Sequence, residues 1–254
     1  MSKEMIAVWF SCGAASAMAA KLTLDRYGAT HDVRIVNNPV DDEDEDNQRF
    51  AADVSDWLGV PIEQATNPKF PTNSCVDVWE RERFMSGPHG APCTRLLKKE
   101  ARYLWEAANR PDWHVLGFSL EEKARHDRFV LTERPNVLPV LIEAGMTKDG
   151  CGAYITRAGL TLPRVYEEGF PNANCPGCVK ATSATYWNFI RQVRPEVFQQ
   201  RAEQSRRLGA RLVRHGGKRM FLDELPPDAK GRPIKTMRIE CGLFCEEHDV
   251  PIAA

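Results

Sequence analysis

The chain opens on a contiguous apolar run, Met5-Ile6-Ala7-Val8-Trp9-Phe10, closed by a turn of small residues. A short run of this kind predicts a buried strand. An alanine-rich stretch over residues 15–27, with Leu22 and Leu24, predicts a helix, and Asp32–Val36 a second strand. Phe50, Val54 and Leu58 recur every four residues within Asp46–Leu58, the spacing of an amphipathic helix. A third strand is expected near Pro61–Ala65, a helix over Thr94–Ala108 and another strand over Trp113–Phe118. Strands alternating with helices predict an α/β fold, a Rossmann-like parallel sheet with helices on both faces.

The pattern changes after about residue 145. Residues 147–170 read as short helices broken by Gly159 and Pro163, and Thr182–Leu208 as mostly helical with an interruption at Pro195. Arg211–Leu225 reads as a hairpin turning at Gly216-Gly217, followed by a polar loop, Pro226–Arg232. The expected organisation is a nucleotide-binding α/β domain over 1–145 and a mainly helical, cysteine-bearing part over 146–254.

The net charge of -1 excludes bulk attraction to a polyanion. Locally, Arg191, Arg194, Arg201, Arg206, Arg207, Arg211, Arg214, Lys218 and Arg219 crowd one stretch. That stretch reads either as a phosphate-facing surface or as a solvated helix balanced by Glu196 and Glu203. The acidic run Asp41–Asp46 reads as a solvated loop, with negative charge favoured ahead of the helix that follows. No apolar run is long enough for a secretory signal core or a membrane span, so a cytoplasmic protein is expected. Thiols stay reduced there, so the eight cysteines read as ligands, nucleophiles or core residues.

Chemistry first enters at Ser11-Cys12-Gly13-Ala14-Ala15-Ser16, between the first strand and the first helix. Backbone N–H groups and the helix dipole face an incoming anion at such a place. Gly13 allows close approach, and Ser11 and Ser16 offer hydroxyls to phosphate oxygens. The turn resembles the phosphate-binding loop S-G-G-x-D-S of the adenine nucleotide alpha-hydrolase superfamily, with Cys12 at the second position and Ala15 at the acidic one. Loss of that acid resembles the phosphoadenylyl-sulfate and adenylyl-sulfate reductase branch, which binds a nucleotide-activated sulfate without cleaving ATP.

The thiols extend the resemblance. Reductases with a [4Fe-4S] cluster carry a Cys-Cys pair followed by a basic residue, a C-x-x-C and an E-C-G-[IL]-H tail. Here Cys93-Thr94 precedes Lys98, Cys175-Pro176-Gly177-Cys178 follows, and Glu240-Cys241-Gly242-Leu243 closes the series. Thr94 replaces the second cysteine of the pair and Phe244 the tail histidine. The resemblance implies Cys241 as the nucleophile that attacks sulfate sulfur, with Lys235 and Arg238 near in sequence to favour its thiolate. It also implies a thioredoxin- or glutathione-type electron donor. Four thiolates hold an iron–sulfur cluster or zinc. Cys93, Cys175 and Cys178 are expected as three ligands and Cys245 as the fourth, with Cys241 able to serve instead. A zinc site of Cys175, Cys178, Cys241 and Cys245 is the rival. Cys12, Cys75 and Cys151 stand alone and read as packing residues, with Cys12 also readable as a reactive thiol because thiolate character rises at a helix N-terminus.

Gly117-Phe118-Ser119-Leu120-Glu121-Glu122 resembles the family's nucleotide-contacting G-x-R-x-x-[EQ]-S segment at Gly117 and Glu122, with Ser119 at the arginine position. The blocks Asn172–Arg191 and Phe221–Leu225 resemble reductase-like proteins encoded by bacteriophages. These resemblances imply thiol-dependent reduction of adenylyl or phosphoadenylyl sulfate. The alternatives are a sulfurtransferase acting on nucleic acid, in which an iron–sulfur cluster carries sulfur, and a non-catalytic nucleotide-binding module.

Overall fold

The structure is a computed structural model, and it describes residues 3–88 and 90–234. The chain divides into two compact units built from interleaved segments. Among the described residues, 3–39, 45–66 and 102–167 form unit 1, and 40–44, 67–88, 90–101 and 168–234 form unit 2. The boundary expected near 145 is a break in sequence, whereas each unit is assembled from separate stretches.

Unit 1 holds a five-stranded parallel sheet of β1 (Met5–Phe10), β2 (Asp32–Asn37), β3 (Ile62–Gln64), β4 (Trp113–Val115) and β5 (Val137–Leu138). The order is β3-β2-β1-β4-β5, with Ile6 of β1 beside Val33 on one side and Trp113 on the other. Parallel pairing and burial on both faces explain why β1 reads as unbroken hydrophobicity. Ile6, Val8 and Phe10 pack into one core cluster with Ala17, Met18 and Ala20 of α1 (Ala14–Tyr27) and Phe50 and Val54 of α2 (Asp46–Leu58). Trp9 meets Trp105 edge-on at 5.5 Å. α1 also contacts two short later helices of this unit.

In unit 2, α3 (Cys75–Glu82) is an eight-residue helix absent from the expectations above. Its start is marked by Ser74, whose hydroxyl accepts from the Val76 N–H at 3.1 Å. The helix expected over Thr94–Ala108 begins as a π-helix, Thr94–Glu100, and only then becomes α4 (Ala101–Asn109). Later helices are α5 (Lys123–Thr132), α6 (Val140–Glu143), α7 (Lys148–Arg157) and α8 (Arg164–Glu167), followed by α9 (Ala184–Val193) and α10 (Pro195–Arg207). The break at Pro195 falls where the sequence places it, because proline lacks the N–H that would continue the ladder. The hairpin is β6 (Val213–His215) and β7 (Lys218–Met220), with Gly216 and Gly217 both at positive φ. Among the described residues, no helix is long and apolar enough to cross a membrane.

Candidate functional site

The first candidate site is the turn at the carboxyl end of β1. The strand order reverses between β1 and β4, and in open α/β sheets ligands bind in the crevice at such a reversal. Leaving Phe10, the chain passes through Cys12 at φ 55, a left-handed conformation that costs a non-glycine residue about 1–2 kcal/mol. Asn37 braces it: its Nδ2 donates to the Phe10 carbonyl at 2.8 Å and to Cys12 Sγ at 3.6 Å. Ser16 closes the loop. Its Oγ accepts from the Ser11 N–H (3.1 Å) and the Ser11 hydroxyl (3.3 Å), and donates to the Gly13 carbonyl (2.9 Å). Both serine protons are thus used inside the loop, and the Ser11 hydroxyl, exposed at its lip, is the one that can turn to an incoming ligand.

Two further residues shape this turn. Gly117 lies just past β4, and a Cβ there would stand 2.8 Å from Ser16 N and 3.1 Å from the Ala15 carbonyl carbon. Only glycine lets the end of β4 pass this close to the start of α1. Gly13 caps α1 without a side-chain bond. The Tyr166 hydroxyl lies beside this cap, where a Cβ on Gly13 would stand 3.4 Å from it. Burial raises the Tyr166 pKa, so the phenol stays neutral there. Sequence reasoning missed Tyr166 because nothing near it in the chain marks it. An open recess of about 470 Å³ adjoins it, lined by Thr156, Leu160 and Leu162 among others, within the size range of ligand pockets. Glu122 is engaged locally: Oε2 accepts from the Ser119 N–H and hydroxyl at 3.3 Å, and Oε1 from Arg125 at 2.7 Å.

The second candidate site is in unit 2. Cys75, Cys93, Cys175 and Cys178 line one cavity together with Trp79, Thr94 and Lys98. The centre of a water molecule has about 10 Å³ there, about one water's worth, within about 330 Å³ of empty space that opens in part to solvent. All four cysteines are buried. The structure thus brings Cys93, Cys175 and Cys178 to one place and adds Cys75, which the sequence reading treats as packing. Cys245 and Cys241 lie outside the described residues, as do Lys235 and Arg238.

Cys75 is the first residue of α3, where the helix dipole favours thiolate. Its pKa nevertheless stands well above the usual thiol range, because the Cys175 and Cys93 sulfurs hydrogen-bond to it and burial adds to the effect. These thiols cannot ionise together unless a cation joins them. That donor chemistry fits a thiophilic metal, and four sulfurs suit zinc or an iron–sulfur cluster alike. Among the described residues, no group of three or more His, Cys, Asp or Glu side chains is arranged to hold a single metal ion as it stands. Gly177 makes the C-x-x-C turn at φ 71, where a Cβ would fall 2.7 Å from Val197 Cγ1. The Cys178 N–H donates to the Tyr186 hydroxyl at 2.9 Å. Burial, and then the nearby Cys178, hold Tyr186 well above the ordinary phenol pKa.

The acidic run supports this site, in contrast to the solvated loop expected of it. Asp42 pairs with Arg201 at 2.6 Å, and each side chain is under a tenth exposed. Glu43 holds Lys98 at 3.0 Å, and Asp44 holds Arg194 at 2.5 Å. Asp42 Oδ2 also accepts from the Cys75 N–H at 2.6 Å and the Ser74 hydroxyl at 3.2 Å, fixing the start of α3. Much of the basic stretch is likewise paired, Arg201 in the interior and Arg206 and Arg207 at the surface. Arg194 and Arg201 pair as above, Arg206 holds Asp223 and Glu224, and Arg207 holds Glu80.

No protein-family model matches the chain, and no curated protein sequence matches it. Among solved structures, it is similar to the U34-tRNA thiolase NcsA from Methanococcus maripaludis with its [4Fe-4S] cluster. The identity is 11%, the TM-score 0.46, and the match covers 82% of this chain and 72% of the thiolase.

Proposed function

We propose that this chain is an enzyme of nucleotide-dependent sulfur chemistry. Unit 1 binds an adenine nucleotide at the Ser11–Ser16 turn, and unit 2 holds a metal centre on Cys75, Cys93, Cys175 and Cys178. One observation carries the reading: thiols from three separate segments of unit 2 line a single cavity. The reversal of strand order supports the nucleotide half, because the turn and Gly117 flank the point where such folds take their ligands. Gly13 leaves room for a phosphate, and the start of α1 supplies N–H groups and positive dipole. Ser11 offers it a hydroxyl. Gly117 and Tyr166 keep the loop in shape.

The centre is an iron–sulfur cluster or zinc, and either supplies a thiophilic Lewis acid at the cavity. Asp42 and Lys98 act around it, Asp42 by anchoring Cys75 and Lys98 by placing a buried ammonium at the cavity wall. The reaction we assign is sulfur transfer. The reductase reading is favoured by a different point. With Cys75 as fourth ligand, Cys241 is not needed for the metal and is left for nucleophilic attack.

Anaerobic purification followed by iron, sulfide and zinc analysis tests the centre. Wild-type protein should carry metal, and Cys75→Ser should lose most of it while Cys245→Ser keeps it. The reverse ranking, or metal-free wild type, overturns the assignment of the cavity. Pyrophosphate release from ATP that depends on added nucleic acid supports transfer. Sulfite release from phosphoadenylyl sulfate, lost in Cys241→Ser, supports reduction instead.

A further inference from the structure

The basic residues from 191 to 219 separate into two groups in unit 2. Those on α9 and α10 already have carboxylate partners: Arg194, Arg201, Arg206 and Arg207 are ion-paired, the last two at the surface. Arg191 donates to the Leu222 and Leu225 carbonyls at 3.3 and 2.8 Å. Those on the hairpin are different. Arg211, Arg214, His215, Lys218 and Arg219 span nine residues, and no acidic residue lies among them. Among the described residues, none of the five is ion-paired with a carboxylate.

Register makes the arrangement costly. Across the antiparallel pair Arg214 stands directly opposite Arg219. Like charges facing each other across strands destabilise a hairpin, where opposite charges there would stabilise it. The Arg219 pKa is lowered, first by burial and then by the Arg214 charge, as mutual repulsion requires. The hairpin is nonetheless held in place. The Arg214 N–H donates to the Thr182 carbonyl at 2.8 Å, and Arg219 Nη1 donates to the Leu212 carbonyl at 3.3 Å. Gly216 and Gly217 take the turn at φ 56 and 76, so the two strands double back with their cations at the tip. The anchor at Thr182 lies four residues after Cys178, which ties the hairpin to the segment carrying the C-x-x-C.

A fixed ribbon with facing cations and, among the described residues, no carboxylate partner is complementary to neighbouring phosphates. We infer that the Arg211–Arg219 hairpin binds the phosphodiester backbone of a nucleic acid. Side chains alternate along each strand, so Arg214 and Arg219 share one face and present a pair of cations to neighbouring phosphates, with Lys218 on the other face beside the turn, and the bound polyanion relieves the repulsion between Arg214 and Arg219. These are backbone contacts, so they do not select sequence. The inference rests on the sulfur-transfer reading, for which it names the acceptor class. The hairpin's binding does not require the metal or the nucleotide.

Fluorescence anisotropy with labelled oligonucleotides, single-stranded RNA, a folded RNA stem-loop and duplex DNA, measured across a salt series, tests it. The probe set also includes vesicles containing anionic lipid. Wild-type protein should bind nucleic acid with affinity that falls steeply with salt. The triple variant Arg214→Ala, Lys218→Ala, Arg219→Ala should bind about 10- to 100-fold more weakly at low salt. Its log–log salt slope should be smaller by about 2–3, the value for three lost phosphate contacts. The relative affinities of the RNA and DNA arms identify the natural polymer. The variant Arg206→Ala, which removes a cation already paired to Asp223 and Glu224, should bind like wild type. Unchanged affinity and slope in the triple variant, with circular dichroism showing it folded, overturns the proposal. So does binding to vesicles with none to nucleic acid. If the triple variant is misfolded, the charge-keeping variant Arg214→Lys, Arg219→Lys decides, since retained binding supports the phosphate contacts and lost binding sinks them. Loss of binding in metal-free protein with an intact hairpin would count against the inference alone, whereas metal-free wild type that still binds RNA leaves it standing and removes the metal centre.

Discussion

The turn of unit 1 and the thiol cavity of unit 2 are both small sites built around a helix start, yet they are made in opposite ways. The turn draws on consecutive residues, Ser11 to Ser16, which close on themselves through the Ser16 hydroxyl. The cavity gathers Cys75, Cys93 and Cys175–Cys178 from separate stretches. A site made of neighbours is held by local hydrogen bonds and tolerates change elsewhere. A site made of distant residues depends on whatever holds those stretches together, and here much of that is buried charge: Asp42 with Arg201, and Glu43 with Lys98.

The largest break in this comparison should come from Asp42→Asn. It leaves the Arg201 guanidinium buried without its carboxylate and weakens the anchor on the Cys75 N–H. Removing one partner of a buried pair costs about 3–5 kcal/mol. Denaturant titration should show a loss of that size, with weaker metal retention, and a loss under about 1 kcal/mol would mean that the cavity does not depend on the pair.

Gly117→Ala tests the turn. The new Cβ would meet backbone at 2.8 Å, and backbone cannot swing aside as a flexible side chain does. A destabilisation of about 2–3 kcal/mol is expected, together with at least tenfold weaker nucleotide binding by calorimetry. Wild-type affinity in this variant would place the nucleotide elsewhere.

Over the first unit below pH 6.5, a smaller effect tells the two regions apart. His114 sits in unit 1, where the Trp9 indole donates to its Nδ1 at 3.1 Å and Arg134 contacts its Nε2. Burial, then Arg134 and Arg102, lower its pKa to about 3. The unfolded chain takes up a proton near pH 6.5 that the folded chain refuses until about pH 3. Stability should therefore fall as pH drops through that window, by up to about 1.4 kcal/mol per unit. Thermal melts of wild type and His114→Gln should diverge below pH 6, and parallel curves would refute the assignment.

The sequence carried the architecture of unit 1 because a buried parallel strand and an amphipathic helix leave periodic marks on their own residues. β1, α1, β2 and α2 fall within a residue or so of where the pattern puts them. The glycine at 117 was visible as a motif, and only its contact with Ser16 shows why it is glycine. That Cys75 shares a cavity with Cys93, Cys175 and Cys178 was not legible, because a lone cysteine carries no periodicity and its neighbours there are remote. The acidic run was misread for a related reason: its charge is plain in sequence, but burial opposite Arg201, Lys98 and Arg194 is not.

By itself the sequence settled strand and helix order, the small-residue turn after β1 and the pairing of Cys175 with Cys178 in one bend. Each of these is fixed by backbone preferences and spacing over a few residues. Tertiary structure decided which thiols share a cavity, which charges are internal and which stay on the hairpin. Burial and contact between distant segments depend on how the whole chain packs, and no local stretch encodes them.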